Sequence, residues 1–216
     1  MRLTNLSAFL FILLIPLSTY AQEVRLTPLT CTYEVSVWNV HMRRIINSTT
    51  IEHPYSELTQ EEIDSATGCT VCSEDQVLIH VPPLNPFSVC YKLVPDIRSA
   101  LIDLVKRGEA LYSIRGYLVI KSRGLISAQG NRTQFSNHSF GAAIDINREQ
   151  NGLYDGCQSF GPGCRLILGG PWEPGVPGTL EANGPVVQAM SRLGFAWGGE
   201  IKGNQKDFMH FSITGY

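Results

Sequence analysis

The chain has 216 residues, 44% of them hydrophobic, and its 17 Lys and Arg nearly balance 19 Asp and Glu, for a formal net charge of −2. So mild an acidic excess gives no reason to expect nucleic acid or an anionic membrane as partner. There is no internal repeat or low-complexity tract, and the length suits one domain able to bury its own core.

Residues 1–21, MRLTNLSAFLFILLIPLSTYA, place Arg2 in a short head, follow it with an apolar run from Leu6 to Leu17, and end on small residues at Thr19 and Ala21. This is the layout of a secretory signal peptide cleaved after Ala21, and the apolar run is too short to span a bilayer comfortably. Loss of Arg2 takes the formal charge from −2 to −3. No later segment is apolar enough to be transmembrane. The mature protein is therefore expected in the periplasm or outside the cell, as a monomer without an integral membrane segment.

Six cysteines remain: Cys31, Cys69, Cys72, Cys90, Cys157 and Cys164. An even number in an exported chain points to disulfides, with fifteen possible pairings by simple combinatorics. A four-cysteine zinc knot would need a second closely spaced pair beside Cys69-x-x-Cys72, and that pair is missing. Cys157 and Cys164 bracket QSFGPG, a turn flexible enough to join them, so they are expected to pair with each other.

In chain order, residues 31–46 mix Val, Tyr and Trp with polar residues and predict a strand. LTQEEIDSATG predicts a short helix, with Thr59 and Glu62 at capping-box spacing and Gly68 closing it. VLIHVPPLNPF is extended and then broken by prolines 82, 83 and 86. Ile97, Ala100, Leu101, Leu104 and Val105 keep one apolar face of a helix from Asp96 to Arg107, stopped by Gly108. Leu111–Ile120 predicts a strand. Residues 148–180 are rich in Gly and Pro, and read as a long ordered loop held by Cys157 and Cys164, of the kind that is more often functional than idle. A second helix starts near Asn183 with Pro185 in its first turn and ends at Gly194. The tail DFMHFSITGY alternates as a half-buried strand does.

The chemistry concentrates in SNHSFGAAIDIN, residues 136–147. Strand alternation from Gly141 puts Gly141, Ala143 and Asp145 on one face and Ala142, Ile144 and Ile146 on the other. The branched residues mark the core, so Asp145 points away from it, with little side-chain bulk beside its carboxylate. His138, just before the strand, can be aimed at the same spot by a turn. A histidine and a carboxylate suit zinc, and a catalytic zinc takes three protein ligands. His210 on the tail strand offers the third. Asp207, three residues earlier, can serve a water without binding the metal. His41, His53 and His80 have no such companions and are read as surface or core residues.

SNHSFGAAIDIN resembles the Ser-x-His-x-x-Gly-x-Ala-x-Asp motif of the zinc D-alanyl-D-alanine carboxypeptidases and L-alanyl-D-glutamate endopeptidases that cut peptidoglycan stem peptides. GFAWGGEIKGNQKDFMHFSI resembles their second signature, a Gly-Phe-x-Trp-Gly-Gly turn leading to Asp-x-x-His-Phe. The resemblance covers the last half of the chain, from near Ile97 to Ile213. It implies His138, Asp145 and His210 as zinc ligands and Asp207 as catalytic base. It also implies a residue holding the substrate carbonyl, for which Arg123 is the best match, with Arg115 behind it and Gln129 a further candidate. Ser136 would order the turn before His138 or touch substrate.

The implied fold is α+β: a small, mainly antiparallel sheet with helices on one side and a zinc cleft on its open face. The implied organisation is a signal peptide, 1–21, then one zinc peptidase domain, 22–216, in which 22–92 is a disulfide-stapled N-terminal extension. The implied activity is hydrolysis of an amide bond in a peptidoglycan peptide. A non-catalytic zinc-containing cell-wall binding module of the same fold is the alternative, against which the presence of Asp207 argues.

Overall fold

The computed structural model describes residues 25–215. The expected signal segment lies outside the described residues. In chain order the strands begin with β1 (Thr30–Asn39), β2 (Arg44–Pro54), β3 (Gln76–Ile79) and β4 (Phe87–Cys90). Helix α1 (Val94–Lys106) follows, then β5 (Ile114–Arg115), β6 (Ile120–Ile126), β7 (Arg132–Phe135) and β8 (Ala143–Ile146). The last elements are β9 (Leu153–Asp155), β10 (Arg165–Leu168), helix α2 (Pro185–Arg192), β11 (Ala196–Trp197), β12 (Gln205–Asp207) and β13 (His210–Ser212).

The expected strand at 31–46 is a hairpin, because the chain reverses at Asn39. Its buried side-chain carbonyl accepts from the backbone N–H groups of His41 and Met42 at 3.1 and 2.9 Å. Its amide donates to Gln129 O and Asn131 Oδ1 at 2.8 and 2.7 Å. Asparagine suits such a turn because one short side chain satisfies donors that the strand ladder has left unpaired. β1 then pairs in parallel with β6, giving a sheet in the order β2-β1-β6-β7.

The predicted helix at LTQEEIDSATG is a single 3₁₀ turn, Gln60–Glu62. Its capping box closes, Thr59 N and Oγ1 donating to Glu62 Oε2 at 2.9 and 2.8 Å. The helix goes no further because Glu62 Oε1 is held by Tyr33 OH at 2.7 Å and His53 Nε2 at 2.8 Å, and Ile63 bridges to Thr70. Burial opposes the charge on Glu62, but the hydrogen bonds from Tyr33, Thr59 and His53 outweigh it and hold its pKa at about 2. With the folded pKa below the ordinary 4.5, the stabilisation is complete above about pH 4.5 and is lost as pH falls toward 2. Glu62→Gln should therefore cost about 3 kcal/mol at neutral pH, the order expected for breaking a buried pair. Urea midpoints of variant and parent should converge as pH falls through that window. A gap undiminished in acid would rule this role out.

Cys31 pairs with Cys72, Cys69 with Cys90, and Cys157 with Cys164. Cys69 and Cys72 thus serve different bridges, and no cysteine among the described residues is free for a zinc knot.

The main core is built by α1 through Ile97, Leu101 and Leu104, by α2 through Val186, Val187 and Met190, and by Ile144, Ile146 and Phe211 from the strands. Each such aliphatic chain gains about 1.5–3 kcal/mol on full burial. Pro95 in the first turn of α1 starts the helix at Val94, two residues before the expected Asp96. Gly184 caps α2 and Pro185 lies in its first turn.

The content is mixed α and β, with two α-helices and four small sheets among the described residues, and every strand pair except β1–β6 is antiparallel. The expected single sheet is thus divided, and its short pieces trace to two further corrections. Of Leu111–Ile120, only Ile114–Arg115 pairs with β8, and the chain then leaves to bond Ser88 O and His138 O before β6 begins. The supposed loop at 148–180 contains the β9–β10 hairpin, and β9 pairs on its other side with β12. The β9–β12 pairing joins segments about 50 residues apart, which no local periodicity records.

Candidate metal centre

The first wall of the site is a turn and a strand. Residues Asn137–Phe140 form a 3₁₀ turn whose C-cap, Gly141, has φ +63°. A β-carbon there would lie 2.0 Å from Gln76 Oε1 and 2.4 Å from Cys90 N. Gly141 is therefore required for a left-handed turn packed against the chain at Cys90, and not to leave space beside Asp145. From Ala143 the alternation is as expected: Ile144 and Ile146 enter the core, while Asp145 keeps about one-seventh of its side chain exposed.

The second wall is the tail, which is two strands and not one. Asp207 ends β12, and His210 begins β13 three residues on. Between them Phe208 is fixed from several sides. Trp172 stacks on it at 4.0 Å, Phe160 meets it edge-on at 5.3 Å, and Trp197 Nε1 donates to its carbonyl at 2.7 Å. A β-carbon on Gly198 would lie 2.2 Å from Asp207 O, so the Trp-Gly-Gly turn closes directly onto the strand bearing that carboxylate. Both faces of β13 are covered, since Met209, His210, Phe211 and Ser212 are all buried. The tail's alternation thus separates core-facing from site-facing residues.

Antiparallel pairing joins the walls. His210 lies opposite Asp145, and Arg115 lies opposite Asp145 on its other side. Directly opposed residues share a face, so His210, Asp145 and Arg115 form one transverse row. His138 Nε2 is 3.0 Å from Asp145 Oδ1 and 3.1 Å from His210 Nδ1, and His210 Nδ1 is 3.1 Å from the same carboxylate oxygen.

This triangle suits a metal ion. His138 Nδ1 faces Gly116 O at 2.8 Å, and a carbonyl can only accept, so Nδ1 carries the proton and neutral imidazole turns its Nε2 lone pair inward. Three donor atoms about 3 Å apart are close to the spacing of about 3.3 Å at three corners of a tetrahedron of zinc ligands. One imidazole N–H cannot point along two edges of a triangle, whereas one cation satisfies all three atoms. Without a cation, burial opposes charge on His138, but the charge and hydrogen bond of Asp145, the bond to Gly116 O and the charge of Asp207 raise its pKa. Burial likewise opposes charge on Asp145, and the two imidazoles hold its carboxyl far below the usual range. Asp207 is thus close enough for its charge to be felt at His138.

Residues 129–213 match the family model described as D-alanyl-D-alanine carboxypeptidase. The D-alanyl-D-alanine carboxypeptidase match contains His138, Asp145, Asp207 and His210, and leaves Arg115 and Arg123 outside it. No curated protein and no solved structure gives a match to the chain.

The remaining candidates separate. Arg123 lies on β6 and its guanidinium donates to Asn137 Oδ1, next to His138. Gln129 sits in the β6–β7 turn, exposed, its carbonyl held by Asn39. Ser136 is buried, with its Oγ 3.2 Å from Ser139 Oγ within the turn that carries His138. Two supports of the site escaped the sequence reading. One is the Gly116 carbonyl, a backbone atom that no residue type announces. The other is Asn137, buried, whose amide donates to Ser212 Oγ at 2.8 Å and to Gly215 O, tying the His138 turn to the tail. The oddity of a polar residue between Ser136 and His138 was the available signal.

Proposed function

We propose that this chain is an exported zinc peptidase that hydrolyses an amide bond in peptidoglycan stem peptides, as a D-alanyl-D-alanine carboxypeptidase or an L-alanyl-D-glutamate endopeptidase. The observation that carries the reading is the closed His138–Asp145–His210 triangle with Asp207 in electrostatic reach, inside a segment matching a carboxypeptidase family. Zinc, when bound, supplies Lewis acidity toward water and toward the scissile carbonyl. Asp207 accepts the proton of the attacking water as the new C–O bond forms, and returns it to the amine as the C–N bond breaks. Within the 22–92 extension, the described residues from 25 onward belong to the same domain, since β1 shares a sheet with β6 and β7 and the backbone at Cys90 packs against Gly141. The hairpin in 148–180, which carries Phe160 onto Phe208, would set how far the cleft extends beyond the scissile bond.

Cross-strand placement favours Arg115 over Arg123 for holding the substrate carbonyl, because Arg115 shares the row of Asp145 and His210 whereas Arg123 is engaged by Asn137. Arg115→Ala should lower kcat/KM about 100-fold, as loss of an oxyanion donor does, and Arg123→Ala less than about tenfold. The reverse order would return the role to Arg123.

The reading as a whole is tested by incubating the zinc-loaded protein with purified muropeptides and reading the products by mass spectrometry. Loss of a terminal D-alanine identifies a carboxypeptidase, and release of the D-glutamate segment from L-alanine an endopeptidase. Intact muropeptides that remain bound to the zinc protein would instead establish the non-catalytic binding module.

A further inference from the structure

The near-neutral total charge conceals a segregation. Between Glu34 and Glu52, and again between Glu109 and Asp145, the chain contains no acidic residue, yet these stretches carry Arg43, Arg44, Arg115, Lys121, Arg123 and Arg132. Apart from Arg115, which lies on β5 in another sheet, these cations sit on the strands or turns of the sheet β2-β1-β6-β7.

The fold brings their tips together. The β1–β2 turn and the β6–β7 turn are joined by the Asn39–Asn131 bridge, by Val40 N donating to Gly130 O at 2.8 Å, and by the side chain of Asn39. Arg44 lies opposite Asn39, and Arg132 lies opposite Ile126. Around these cations the same end of the sheet exposes large apolar side chains: Met42 at 58%, Ile45 at 52%, Leu125 at 80% and Ile126 at 49%. Trp38, opposite Ile45 and half-buried, shares its face. The carboxylate of Asp155 feels Arg43, and it is already paired with Arg165, whose Nε donates to it at 2.8 Å.

We propose that this end of the sheet docks the protein on an anionic bilayer surface. Arg43, Arg44 and Arg132 would lie at the lipid phosphates, while Met42, Ile45, Leu125 and Ile126 enter the boundary between headgroups and acyl chains. Charge complementarity selects an anionic partner, because basic residues near such a surface are attracted within a Debye length. The apolar side chains select a bilayer over a hydrated polyanion, which would leave them in water. The combination is that of a peripheral site, in which apolar burial and electrostatic attraction act together. This inference is independent of the hydrolytic reading, since none of these residues belongs to the metal centre.

Vesicle flotation tests it with the full secreted chain, metal-loaded and disulfide-bonded. Vesicles of phosphatidylcholine containing about 30% phosphatidylglycerol should bind the protein at least about tenfold more tightly than pure phosphatidylcholine. Arg43→Glu with Arg44→Glu should lower that binding about tenfold or more. Met42→Ser with Leu125→Ser should lower it by a similar factor while leaving muropeptide hydrolysis and the three disulfides unchanged. All four positions are exposed, so the substitutions need not disturb the core. Equal binding to both vesicle types overturns the proposal, as does a charge-reversed variant that binds like the parent. Binding that depends on the arginines but ignores the Met42 and Leu125 substitutions makes this a polyanion site and also overturns it.

Discussion

His210→Ala should strip the protein of most of its zinc while leaving it folded. The other two proposed ligands, His138 and Asp145, sit on one turn and strand, and the third corner of the triangle comes from β13 alone. Removing outer-shell partners of a metal already costs about 10–100-fold in affinity, so loss of a direct ligand should cost at least about 100-fold. Elemental analysis after dialysis against a weak chelator reads the change, and non-reducing peptide maps confirm that the three disulfides survive. His53→Ala is the control. His53 is bonded to Glu62 in the N-terminal hairpin, and its loss should leave zinc content unaltered. Full zinc occupancy in His210→Ala would sink the three-ligand assignment.

Asp207→Asn should keep zinc and fold, yet lose at least about 100-fold in turnover, the lower range for removal of a general base. The substitution preserves shape and removes basicity, so the contacts of Phe208 with Trp172 and Trp197 remain in place. Because the proton transfer belongs to the transition state, the loss should fall on kcat and leave KM nearly unchanged. A residue that merely ended β12 would instead move the denaturation midpoint and spare the rate. Hydrolysis by Asp207→Asn at near the parent rate, with zinc bound, would remove Asp207 from the mechanism.

The candidate ligands were legible because each pair is local. His138 and Asp145 fall within one turn and strand, Asp207 and His210 within one short tail, and the side-chain periods of two and 3.6 residues locate them and both helices. What escaped depends on distant partners. Glu62 could have continued a helix, but Tyr33 and His53 drew its carboxylate to the β1–β2 hairpin. The β9–β12 pairing was hidden in a Gly- and Pro-rich stretch, because strands of three residues are too short to show an alternation. That Arg115 lies opposite Asp145 follows only from the β5–β8 register. Cys69 and Cys72 resembled a pair until their different partners pulled them apart.

Strand pairing, and not chain length, sets the span between Asp145 and His210, which are 65 positions apart. Neighbouring strands stand about 4.8 Å from each other whatever joins them. The connections between the intervening β9, β10, α2, β11 and β12 could therefore lengthen or shorten without moving a donor atom, provided β8 and β13 keep their alignment. A slip of one residue between those strands would be another matter, turning Phe211 toward the carboxylate and burying the imidazole in the core. Variation in this architecture is thus free in its connections and forbidden in its register, and new substrate preferences can be grafted between the two walls without rebuilding either.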